Sequence, residues 1–298
     1  MEQSVLLGQS ALLAQAAQPL PLCLLAKLRL SAASALVCQG PSLWLVADDA
    51  LSLQRYSLTG DWLAEQALLP GELPEDAKLR KKLKADFEAL LLLPDGALLA
   101  LGSGSTKRRR RGCLIRGGVV RVIDLGPLYL KLAEHFHELN LEGAVVHGGQ
   151  LLLAQRGNGV GGENALVFLD LQQALDDLDS GQLSASALLR ILPLQLAELD
   201  GVPLSLTDLS VDPAGRLYFS AAAEATDSSY LDGACVGSVL GRFDQDFNIV
   251  QLARLTPRVK IEGLAFQADG RLLLVADADD PRIAAPLFAL DGLGDRLL

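Results

Sequence analysis

The sequence predicts an all-β chain folded as a β-propeller of five blades, each of about four strands. Three observations predict it: a strand–turn–strand signature that recurs along the chain, a near-constant step between its copies, and apolar runs too short for core helices. Six blades is the alternative count. Residues 1–298 are read as one propeller domain, with residues 1–21 set aside as an N-terminal extension.

Four segments open alike: Asp86-Phe87-Glu88-Ala89-Leu90, Leu141-Glu142-Gly143-Ala144-Val145, Thr207-Asp208-Leu209-Ser210-Val211 and Ile261-Glu262-Gly263-Leu264-Ala265. Each reaches a turn, closed by Gly96, Gly149, Gly215 or Gly270, and the acid (Glu88, Glu142, Asp208, Glu262) stands 8, 7, 7 and 8 residues before that glycine. An apolar run follows every turn, at residues 98–101, 151–154, 217–220 and 272–275. Short apolar runs bounded by Asp/Gly turns read as strand, turn, strand. A weaker copy opens the series at Ser34-Ala35-Leu36-Val37, with serine in place of the acid.

From Ser34 the steps to Glu88, Glu142, Asp208 and Glu262 are 54, 54, 66 and 54 residues. A four-stranded blade needs about 50 residues, and propellers carry roughly four to eight blades. Third strands are predicted at residues 53–56, 119–123, 166–169, 239–243 and 286–290, and outer strands at 64–69, 187–196 and 249–255. The last unit runs out before its outer strand, so residues 22–30 are predicted to fill that place and join the two chain ends. Residues 74–84, 128–138 and 172–178 read as short helices inserted between strands.

Composition narrows the function classes. Of 298 residues, 50% are hydrophobic and 21% charged, ample for a large core and unlike a disordered chain. A formal charge of -10 and a pI near 4.8 argue against a general nucleic-acid partner, which needs a basic face. The four cysteines lie at least 15 residues apart, so neither a zinc C-x-x-C pair nor a disulfide framework is expected. With only three histidines, a histidine-rich transition-metal site is not expected either. The N-terminal apolar run lacks the positive n-region of a secretory signal, no stretch is long and apolar enough to span a membrane, and a cytoplasmic location is expected.

Hairpin direction places the chemistry. The first strand of a blade runs away from one face and the second returns to it, so residues early in strand one and just after strand two converge at one mouth. That rule collects Glu88, Glu142, Asp208 and Glu262 round the channel, ringed by Asp48-Asp49, Ser103, Ser105, Arg156, Asn158, Glu224, Asp277 and Asp279. Lys84 and Asp86 share a face with Glu88, and Lys260 lies beside Glu262. Clustered carboxylates repel unless compensated. Three compensations are open: a hard cation such as calcium on Glu88, Glu142, Asp208, Glu262 and Asp277; pairing with Lys84, Lys260 and Arg156; or protonation.

The run Lys107-Arg108-Arg109-Arg110-Arg111 follows a loop of small residues at the same mouth. Arg109 and Arg110 are therefore candidates to grip a phosphorylated or carboxylated ligand, against the alternatives of a solvated loop and a nucleic-acid patch. No nucleophile elbow, H-E-x-x-H or phosphate-binding loop occurs. His147, at a predicted hairpin turn, belongs on the opposite face.

The combination of Asp86-Phe87-Glu88, Leu101-Gly102-Ser103-Gly104-Ser105, Leu206-Thr207-Asp208, Phe219-Ser220 through Glu224, and Lys260-Ile261-Glu262-Gly263 with Asp277-Ala278-Asp279-Asp280 resembles an uncharacterised bacterial propeller family. That family is similar to the esterase-like phytase propellers and covers roughly residues 30–290. The resemblance implies a polar channel mouth, and its phytase side implies calcium and phosphoester chemistry touching Glu88, Asp208, Glu224, Glu262 and Asp277. Two functions stay open from the sequence: a metal-dependent hydrolase of a phosphoester or ester, and a non-catalytic propeller that captures a small anion or a protein segment. Oligomeric state is not legible.

Overall fold

The computed structural model describes residues 19–157, 162–225 and 234–293. The chain enters through β1 (Leu20–Pro21) and β2 (Cys23–Lys27), whose partners come last. Blade one is then β3 (Ala33–Gln39), β4 (Ser42–Ala47), β5 (Ser52–Ser57) and β6 (Trp62–Ala67). Helix α1 (Ala77–Leu83) leads to blade two, which is β7 (Phe87–Leu92), β8 (Leu98–Gly102), β9 (Arg111–Arg116) and β10 (Val119–Asp124). Helix α2 (Gly126–Leu132) precedes blade three: β11 (Leu141–His147), β12 (Gln150–Gln155), β13 (Asn164–Asp170), helix α3 (Leu171–Ser180) and β14 (Leu188–Leu194). The short β15 (Glu198–Leu199) opens blade four, followed by β16 (Val202–Val211), β17 (Leu217–Ala225), β18 (Ala234–Phe243) and β19 (Ile249–Thr256). Blade five is β20 (Lys260–Phe266), β21 (Leu272–Asp277) and β22 (Pro286–Leu290), completed by β2 running antiparallel to β22.

The first strands β3, β7, β11, β16 and β20 touch in that cyclic order, and β20 returns to β3. Five blades arranged as a propeller are thus what the repeat encodes. The closing N-terminal strand and the helices of residues 77–83 and 171–180 fall where the sequence places them. The middle helix, Gly126–Leu132, starts two residues earlier than expected and stops six short. Pro21 belongs to blade four, since β1 pairs parallel with β19. Among the described residues no helix is long and apolar enough to cross a membrane.

Blade two corrects one expectation. Residues 119–123 form the outer strand, and the third strand is β9, which begins at Arg111. The reason is local: Gly117 and Gly118 both adopt left-handed φ, 58° and 80°, the geometry of a two-residue hairpin turn joining β9 to β10. Arg111 is therefore a strand residue rather than part of a mouth loop.

Each blade buries both faces, which explains why its strands read as unbroken apolar runs rather than alternating ones. Leu151 and Leu153 pack toward blade two, among Leu99, Leu101 and Tyr129, while Leu152 and Ala154 pack toward blade four, among Leu206 and Phe219. Similar cores fill the other gaps, around Phe87 and Val46, around Tyr56 and Leu287, and around Tyr218 and Leu274. Close approach of the first strands needs a missing side chain. A Cβ on Gly143 would lie 2.7 Å from the Cα of Asp208, and one on Gly263 would lie 3.0 Å from the Cα of Ala35. The glycine after Glu142 and Glu262 is thus a packing requirement of the ring.

Candidate functional site

All five first strands break register at the same depth. The unpaired residue is Ser34 in β3, Glu88 in β7, Glu142 in β11, Thr207 in β16 and Glu262 in β20. A bulge leaves its extra residue outside the ladder and re-aims the side chain. Here it presents three carboxylates and two hydroxyls at one mouth. The hydroxyls are satisfied within the frame: Ser34 Oγ donates to the carbonyl of Phe87 at 2.5 Å, and Thr207 Oγ1 donates to Ser220 Oγ at 2.8 Å.

Blade four therefore departs from expectation. Its ring member is Thr207, and Asp208 takes the next position, pointing into the frame. Asp208 is buried and accepts hydrogen bonds from the amides of Leu209 and Leu264, both at 2.8 Å. It lies outside the pocket described below, and its two oxygens bind backbone rather than a ligand.

That pocket, about 230 Å³, opens at the mouth where the three glutamates converge. On its blade one and two side, one carboxylate oxygen from each of Asp48, Asp86 and Glu88 lies within 4.8 Å of the other two. Asp86 is buried with φ of 59°, a left-handed conformation that costs an ordinary side chain and that Asp tolerates better than most. It receives Lys84 Nζ at 2.8 Å on one oxygen; Arg109 Nη1 at 2.9 Å and Ser103 Oγ at 2.5 Å approach the other. Lys84 also pairs closely with Asp48, and Arg80 of α1 pairs with Asp49 at 3.1 Å. Ser103 and Ser105 stand behind Asp86; Ser105 Oγ accepts from Arg109 Nη1 at 2.8 Å.

The opposite side is a second network, spanning blades three to five. Arg156 pairs with Glu142 at 3.3 Å, with Glu262 at 3.6 Å, and closely with Glu224. Lys260 reaches Glu262 at 2.8 Å, Asp279 at 3.1 Å and Glu224 at 3.2 Å. Glu142, Glu262, Asp277 and Asp279 line the pocket, and Glu224 does not. Asp277 accepts the amide of Asp279 at 2.8 Å.

Acids outnumber bases here, and burial registers the excess. Burial pushes the Glu142 carboxyl up to about 7, Arg156 opposing and Glu262 adding. Asp277 rises to about 7 for the same first reason, with Lys260 opposing. Asp48 rises to about 6 through burial, with Lys84 opposing and Asp86 adding. Glu88 lies well above the usual carboxylate range, through burial and then its neighbours Glu142, Asp86 and Asp48. It also differs from every other acid on the wall: no described residue gives it a hydrogen bond or an ion pair.

Most of the residues expected at the mouth are brought together, in two networks rather than one ring. Arg110 is a correction: its neighbour Arg109 turns inward, while Arg110 lies off the pocket because the chain is already entering β9. Asn158 lies outside the described residues. Arg80, Lys81 and Asn140 line the pocket and were not expected. Arg80 carried a signal, since it stands four residues before the expected Lys84 on a charged helical segment and so shares its face. The histidines stay away from the pocket; His147 packs against Phe247, ring centroids 6.4 Å apart.

Fold and site together define a five-bladed propeller with an ionic pocket at one mouth. The chain belongs to a family of unknown function, DUF6929, whose model matches residues 29–291. No curated protein has a significantly similar sequence. Among solved structures, the glutaminyl cyclase of Myxococcus xanthus is similar with a TM-score of 0.51 and 13% identity, over 91% of this chain and 97% of that one. A calcium-binding protein, regucalcin, from Agrobacterium tumefaciens gives a TM-score of 0.47 and 13% identity, over 91% and 94%. Virginiamycin B lyase from Staphylococcus aureus gives 0.39 and 12%, over 91% and 75%. At such identities the likeness is one of fold alone.

Proposed function

We propose that the mouth pocket is a cation-dependent ligand site. In this reading Glu88, with Asp48 and Asp86 beside it, holds a hard divalent cation of the calcium class, and a small anionic ligand meets the basic side chains of the same wall. The observation that carries it is Glu88: an unpaired, half-buried carboxylate kept among like charges, in a pocket where other acids already have cations. The donors are all oxygen, which suits calcium or magnesium and not zinc or copper. Glu142 and Glu262, expected as ligands from the sequence, are engaged by Arg156 and Lys260 and serve the frame.

The reaction class that fits is hydrolysis of a phosphoester or an ester, in keeping with the resemblance to esterase-like phytase propellers. A bound cation would supply positive charge against a phosphoryl or carboxyl oxygen. The chain's own residues do the rest. Arg80, Lys81 and Arg109 face the pocket and orient an anion, while Glu142 and Asp277 hold protons near neutrality.

Capture without turnover is the second reading, favoured by one observation. No described histidine lines the pocket, and Ser103 donates to an Asp86 whose two oxygens Lys84 and Arg109 already engage. Calorimetric titration of the protein with calcium chloride tests the common part. Calcium should bind, and Glu88→Gln should abolish binding without lowering the melting temperature. A wild-type protein indifferent to calcium ends the proposal. A panel of phosphate monoesters and carboxylic esters, assayed with and without calcium, then separates turnover from capture.

A further inference from the structure

Lys84 occupies a position that deserves a role beyond neutralisation. Its ammonium lies between Asp48 Oδ2 and Asp86 Oδ1, 2.8 Å from the latter, inside a trio of carboxylates that fit one ion. The other oxygen of Asp86 is fixed by Arg109 and Ser103, so Oδ1 is the atom that Lys84 and any incoming cation must share. The lysine does not complete the pocket. Glu88 receives no hydrogen bond from a described residue, and Oε2 of Glu262, a side chain only 7% exposed, has no partner. Unpartnered oxygens on two carboxylates of one pocket, Glu88 and Glu262, point to a missing positive group, and Lys84 already fills the place it would take.

We propose that Lys84 is a tethered competitor of the cation site, so that a divalent cation enters only by exchange with its ammonium. The inference rests on the cation reading above and adds how the site is controlled. Two positive groups cannot share Asp48 and the buried Asp86 at contact distance without strong repulsion. The exchange is mechanically simple. Lys84 caps the C-terminus of α1, its backbone amide donating to the carbonyl of Arg80 at 2.8 Å, so only the side chain has to move. That side chain is 12% exposed and lies at the pocket wall, so an outward swing carries the ammonium to water. A ligand that binds one arrangement better than another draws the population to it, and its apparent affinity falls by the share of molecules held closed.

The test uses calcium chloride as the probe and has two readouts. In the wild-type protein, labelling of Lys84 by an amine-reactive reagent, located by mass spectrometry, should rise when calcium is added. In Lys84→Met, calcium affinity should rise roughly tenfold, within the usual range of coupling between ligands. If Lys84→Met does not fold, the wild-type labelling decides alone. Calcium binding to the wild type with unchanged labelling, and no gain of affinity in Lys84→Met, overturns the exchange and leaves the cation reading standing. Calcium binding to neither protein overturns both. Binding to Lys84→Met alone overturns both, because the wild-type pocket then keeps its lysine and takes no cation.

Discussion

Asp208 accepts the backbone amide of Leu264 at 2.8 Å, tying the first strand of blade four to the first strand of blade five. Its other oxygen takes the amide of Leu209. An acid expected as a ligand is instead a clasp between neighbouring blades. Asp208→Asn keeps the shape and turns one acceptor into a donor facing an amide. The variant should lose about 2 kcal/mol of stability, the usual cost of an unsatisfied buried donor. Urea denaturation measures it, and calcium binding should be unaffected.

Gly143 lies against that same residue. An added methyl at 2.7 Å from the Cα of Asp208 meets backbone, which cannot rotate away. Gly143→Ala should therefore destabilise by roughly 1–3 kcal/mol, as overpacking does. Calorimetric melting should show the drop, and an unchanged melting temperature would contradict the packing of these two strands.

Glu88 and Arg156 should respond in opposite ways to loss of charge. Arg156 neutralises Glu142, Glu224 and Glu262, so Arg156→Gln leaves buried carboxylates uncompensated and should cost about 3–5 kcal/mol. Glu88→Gln removes a charge that no cation pairs and should leave folding stability equal or higher. Denaturation midpoints of the two variants, measured side by side without calcium, give the comparison.

The raised carboxyls fix the sign of a pH effect. Glu142 moves from 4.5 to about 7, Asp277 from 3.8 to about 7 and Asp48 from 3.8 to about 6. Between those limits the folded protein binds more protons than the unfolded chain, so unfolding free energy falls as pH rises through that window. Without divalent cations the protein should be more stable at about pH 5.5 than at pH 8. Calcium should narrow the gap at the alkaline end, because it takes the place of the lost protons. Urea midpoints across that range, with and without calcium, measure both effects.

Much of this was legible in the sequence because a propeller writes its geometry as repetition. The turn glycines, the apolar runs and the step between acids pointed to five blades, with six the alternative, and to the mouth. The closing strand was legible too, since blade five lacked an outer strand and residues 22–30 lacked a partner. What failed was local. Counting eight residues back from Gly215 reaches Thr207, as it reaches Glu262 from Gly270, but the acid next door drew the alignment one place along. A bulge makes that single step decisive, since it turns a channel-facing side chain into a frame contact. In blade two the paired Gly117-Gly118 was the missed hairpin signal. The division of the mouth into two ionic networks was not legible, because side-chain pairing depends on rotamers that no spacing encodes.

The ladder between β2 and β22 has one more consequence. Blade five cannot be finished until residue 290 has left the ribosome, so during synthesis four blades wait beside an open gap with one raw edge. Tension applied to the two ends would strip the two residues of β1 from β19 and then load that same seam, so blade five should peel away while the sheets of its neighbours stay rolled.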